Sequence, residues 1–73
     1  MLMILAGNAD IGWDRKRKNW IVTIHVGEQV IKRAPDKPVS PSAADDLLRA
    51  AAVETARDDG YEVRPESVNI VRL

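Results

Sequence analysis

Trp20, Val22, Ile24 and Val26 fall on alternate positions of Trp20-Ile21-Val22-Thr23-Ile24-His25-Val26, and this period of two admits a strand with one apolar face and little else. Just upstream, Ile11-Gly12-Trp13 leads into the polar run Asp14-Arg15-Lys16-Arg17-Lys18-Asn19. A hairpin tight about Lys16 and Arg17 would set Trp13 opposite Trp20, Ile11 opposite Val22, Ala9 opposite Ile24 and Gly7 opposite Val26. That register gathers the large apolar side chains on one face, which a slip of one residue would destroy.

Gly27-Glu28 suits a type II′ turn, because glycine takes positive φ at the first central position without penalty. Gln29 to Arg33 is then expected to return as a third antiparallel strand, with Ile31 beside Ile24 on the core face. Arg33 would share that face opposite Val22, which is tolerable only where the sheet ends. The apolar start, Met1 to Ala6, is read as a further strand. Pro35, Pro38 and Pro41 deny donors to a sheet ladder, so residues 34 to 41 form a stiff connector.

Ser40-Pro41 reads as N-cap and first residue of a helix, with Ser42 as the alternative cap and Asp45 and Asp46 near the positive dipole end. The chain is then alanine-rich and helical to about Asp59. Ala44, Leu47, Leu48, Ala51, Ala52 and Thr55 are expected on the buried side, and Ala50, Val53 and Ala56 on the outer side. Gly60 suits the left-handed position after the helix, with Tyr61 folding back as in a Schellman motif. Ser67 to Leu73 has strand composition. The expected fold is α+β: a small three- to four-stranded antiparallel-type sheet, one helix on one face, order β-β-β-α-β, forming a single domain over 1–73.

A chain of 73 residues buries only about 60% of its unfolded surface. It contains no cysteine, so neither a disulfide nor a thiolate zinc site can reinforce a thin core. Packing has to suffice, alone or shared with a second copy. The apolar start lacks the basic flank of a signal peptide, and no stretch approaches the roughly 18 to 20 apolar residues that span a bilayer. The expected location is cytoplasmic, with no membrane contact.

Catalytic constellations need several converging groups, and this chain offers one histidine. His25 sits on the odd face of its strand with Thr23, away from the expected core, and a metal would need partners that are missing. Asp45/Asp46 and Asp58/Asp59 are helix neighbours about 100° apart, a poor arrangement for two carboxylates to share one substrate. The four glycines are isolated and form no phosphate-binding loop. An enzyme is therefore not expected, and no cofactor or metal is implied.

The formal net charge is zero, yet residues 1–37 carry seven Lys/Arg against four Asp/Glu, and residues 38–73 the reverse. Arg15, Lys16, Arg17 and Lys18 concentrate positive charge at the expected hairpin tip, with Trp13 and Trp20 at its base. Such a cluster can neutralise several phosphates, and a two-stranded ribbon is narrow enough for a major groove. The spacing from Trp13-Asp14 to Trp20, on a three-stranded sheet followed by a helix, resembles the arm-type DNA-binding domains of phage-type integrases over about the first half of the chain. The leading expectation is a non-catalytic module contacting nucleic acid through Arg15, Lys16, Arg17 and Lys18. The alternative is a protein-binding inhibitor or adaptor using a strand edge or the outer helix face, with a homo-oligomer as a further arrangement.

Overall fold

The computed structural model describes residues 4–36 and 38–71. Strands β1 (Ile4–Leu5), β2 (Asn8–Asp14), β3 (Asn19–Val26) and β4 (Gln29–Arg33) precede the helix α1 (Asp45–Asp58). Strand β5 (Tyr61–Glu62), a 3₁₀ turn (Pro65–Ser67) and strand β6 (Val68–Val71) follow it. The fold is α+β, with a four-stranded sheet ordered β4-β3-β2-β6 and a two-stranded pair β1-β5.

The β2–β3 hairpin adopts the register expected from alternation: Ala9 faces Ile24, Ile11 faces Val22 and Trp13 faces Trp20. The Gly27-Glu28 turn does the same for β3–β4, placing Ile24 against Ile31 and Val22 against Arg33. Gly27 has φ +59°, as a II′ turn requires at that position. Arg33 resolves its place on the core side by lying exposed at the sheet's end, where its Nε meets Asp59 Oδ2 at 3.3 Å.

The sheet is mixed, not purely antiparallel. β6 runs parallel to β2, with Ala9 beside Val68 and Ile11 beside Ile70, and β1 runs parallel to β5. The helix returns the chain across the sheet, so the strand after it has the direction of β2. Ser67 belongs to the 3₁₀ turn, and the last strand begins at Val68. The portions of the expected strands that fall on Met1–Met3 and on Arg72–Leu73 lie outside the described residues.

Helix α1 starts later than either serine cap implies. Its N-cap is Ala44, extended at φ −68° and ψ 158° and with no side-chain cap bond. Ser40 serves a turn instead: its carbonyl accepts from Ala43 N at 3.0 Å and its Oγ from Ser42 N at 3.2 Å. That carbonyl also accepts the indole Nε1–H of Trp20 at 2.9 Å, so the connector is pinned to β3 and cannot wind into the helix. At the other end Gly60 takes φ +89°, and its N–H donates to the Arg57 carbonyl at 3.0 Å, half of a Schellman pattern. Tyr61 enters β5, and its half-buried side chain packs against the core.

A 14-residue helix is marginal alone, and packing on the sheet holds it. Leu48, Ala52, Thr55 and Ala56 are buried over Ala9, Ile11, Trp20, Val22 and Ile24. This face is rotated from the expected one. Ala44 and Leu47 are exposed, Leu47 at 63%, while Ala56 is fully buried and Val53 half-buried against the core. Alanines let the helix approach the sheet closely, and Leu48 fills the space between them. Trp20 is 1% exposed, and Trp13 meets it edge-on at a centroid distance of 5.4 Å, a favoured aromatic arrangement. Both tryptophans therefore pack on the helix side. No helix among the described residues is long and apolar enough to cross a membrane.

Candidate nucleic-acid interface

With α1 on one side, the opposite face of the four-stranded sheet carries the other parity of side chains: Asp10, Gly12, Ile21, Thr23, His25, Lys32, Asn69 and Val71. The Arg15–Lys18 loop rises at one end of this face. Arg15, Lys16 and Arg17 form one wall of a shallow depression of about 800 Å³. Gly12 adds no side chain to its floor, which Asp10, Ile21, Thr23 and Val71 surround. Lys32, from β4, lines it too. Lys18 is not among the lining residues.

The loop has a defined shape. Asp14 Oδ1 accepts from Lys16 N at 2.9 Å and from Arg17 N at 3.2 Å, an Asx arrangement that turns the chain immediately after β2. Asp14 Oδ2 lies 3.9 Å from Arg17 Nε. Lys18 closes the loop with φ +53°, the left-handed region that side chains other than glycine, asparagine and aspartate seldom occupy. All four cations are exposed, which leaves their charged ends in reach of a polyanion.

The two carboxylates beside the depression are engaged. Asp14 holds the loop, and Asp10 accepts from Asn69 Nδ2 at 3.2 Å and pairs with His25 Nε2 at 3.0 Å. His25 is thus a half-buried strand residue tied across β3, β2 and β6. Among the described residues no group of three or more His, Cys, Asp or Glu side chains could hold a metal ion. The acidic pairs are likewise separated: Asp45 and Asp46 open α1, and Asp59 pairs with Arg33.

The sequence shows the four cations as a run at a hairpin tip, but it shows neither Gly12 beneath them nor Lys32 beside them. The signal for Lys32 was present in the β3–β4 register, which sets it opposite Thr23 and hence on the helix-free face. No protein-family model matches this sequence, and comparison with curated proteins and with solved structures gives no match either.

Proposed function

We propose that this domain is a non-catalytic module that contacts nucleic acid through Arg15, Lys16, Arg17 and Lys18, with Lys32 as a fifth cation. The observation that carries this reading is the shaped loop: consecutive exposed cations on a turn fixed by Asp14, facing Lys32 across a depression floored by Gly12. Phosphate neutralisation by such a cluster is independent of sequence and weakens with salt. Trp20 is buried and offers no platform for an unpaired base to stack on, while half-buried Trp13 lines the depression beside the cations.

Fluorescence anisotropy of labelled duplex and single-stranded oligonucleotides, across a salt series, tests the proposal. Four phosphate contacts correspond to a slope of log K against log salt of about −3.6 on duplex DNA, and five to about −4.5. Replacing Arg15, Lys16, Arg17 and Lys18 together by Ser should abolish this binding while leaving far-UV circular dichroism unchanged. Absence of binding at low salt, or binding that survives the four substitutions, would refute the reading.

A further inference from the structure

Strand β4 is an edge of the four-stranded sheet, and apart from half-buried Ile31 every residue of it is exposed. It contains no proline and no bulge, and it pairs with β3 residue for residue from Gln29 to Arg33, so its outer side is a regular template for a further strand. We propose that this edge is a self-association surface, extended by β4 of a second copy running antiparallel about a two-fold axis at Val30. The two four-stranded sheets then become one, with both helices on the same side. Helix α1 packs over β2, β3, β5 and β6, which leaves the joint clear.

The Gly27-Glu28 turn decides which main-chain groups are open. Val26 and Gln29 close this two-residue loop and face each other as a hydrogen-bonded pair, after which non-bonded and bonded pairs alternate along the ladder. Val30 and Lys32 are the non-bonded partners of His25 and Thr23, so their N–H and C=O groups point away from β3. In keeping with this, the Lys32 carbonyl accepts from Nη1 of its neighbour Arg33 at 2.9 Å and not from a strand. With the axis at Val30, the two copies of Val30 exchange both N–H···O bonds.

Charge selects the occupant and the register. An axis at Val30 sets Lys32 opposite Glu28 of the second copy, and Glu28 opposite Lys32 of the second copy. Both side chains are exposed, and neither has an ion-pair partner among the described residues. An axis at Ile31 would set Val30 against Lys32, and one at Lys32 would oppose the two lysines, a repulsive arrangement. Val30, 55% exposed, meets its own image on the axis and covers apolar surface that otherwise faces water. Arg33 faces Gly27 of the second copy, where no side chain stands in its way, and stays held by Asp59 of its own copy. The two cations of this edge therefore do not repel a second copy. The contact is isologous and closes at two copies. It does not rest on nucleic-acid binding, although Lys32 also lines the depression beside the basic loop.

Sedimentation equilibrium over a concentration series, with no nucleic acid present, provides the test. The expected result is a reversible shift from the 8.1 kDa monomer toward twice that mass. Val30→Lys puts like charges on the axis and should hold the chain monomeric. Glu28→Lys and Lys32→Glu each create two like-charge pairs in the dimer and should each weaken association about fivefold or more, and the two together should restore it to within about threefold. Amide exchange reads the edge itself: the Val30 N–H is open in the monomer and should slow with rising concentration by a larger factor than the Ile31 N–H, which is already bonded to β3. If Val30→Lys unfolds the domain, the charge exchange and the Val30 amide still decide the matter. A wild type that stays monomeric throughout, a dimer that survives a folded Val30→Lys, a double exchange no better than the singles, or a Val30 amide indifferent to concentration would overturn the proposal.

Discussion

Truncating Leu48 to alanine should cost about 3 kcal/mol, whereas the same change at its neighbour Leu47 should alter stability by less than about 0.5 kcal/mol. Leu48 is 0% exposed and Leu47 63%. Leu48→Ala deletes three buried carbons, at about 0.8 kcal/mol each in transfer free energy, and adds a cavity term because the β-sheet beneath cannot collapse into the space. Leu47→Ala removes atoms that are mostly in water, and alanine is the slightly better helix former. A domain of this size has about 4–11 kcal/mol in total, so the first loss consumes a large part of it. It should lower Tm by about 12–24 °C. Urea unfolding followed by tryptophan fluorescence measures both, since Trp20 is buried in the same core, and dilute protein removes any contribution from self-association. Equal losses at the two positions, or the larger loss at Leu47, would show that α1 faces the sheet along the stripe expected from sequence and that its observed rotation is wrong.

Gly60→Ala forces a Cβ into a backbone at φ +89° and should destabilise by about 1–2 kcal/mol in the same urea assay. Trp20→Phe removes the donor to the Ser40 carbonyl and leaves a small void. A loss of about 2 kcal/mol is expected, with a disordered connector visible as faster amide exchange near Ser40 and Ala43. Lys18→Gly relieves the left-handed strain at φ +53° and should raise stability by up to about 1 kcal/mol. In the salt titration it should lower the slope by no more than about one unit.

The hairpin and the third strand were legible because a period of two is strict: in Trp20–Val26 only one register gathers Trp13, Ile11 and Ala9 with Trp20, Val22 and Ile24 on one face. The helix was legible in existence but not in rotation. Leu47 and Leu48 are adjacent, 100° apart, and the surrounding alanines give almost no contrast between an inner and an outer side. Its start was misread because Ser40-Pro41 has the chemistry of a cap, while the tie to Trp20 that overrides it joins residues twenty positions apart. The direction of the last strand is not a property of its composition. Val68–Val71 reads the same in either sense, and only the crossing of α1 over the sheet makes it parallel. For the candidate interface, the four loop cations were evident as a run. The depression beside them was not, because it depends on Gly12 and Lys32 meeting on a face that two separate registers must define.

The position of β2 between β3 and β6 has a consequence for the order of events in folding. β3 can join β2 as soon as a four-residue loop closes, on a timescale of microseconds. The other flank of β2 waits for a partner that is far away in sequence, as the Asp10–Asn69 separation of 59 residues shows. At about 5–20 residues per second of synthesis, that delay is about 3–12 s. For those seconds a nascent chain carries β2 with unsatisfied main-chain donors and acceptors beside apolar Ala9 and Ile11. A strand from a neighbouring chain could occupy the place of β6 first, so strand exchange on crowded ribosomes is the hazard this topology has to outrun.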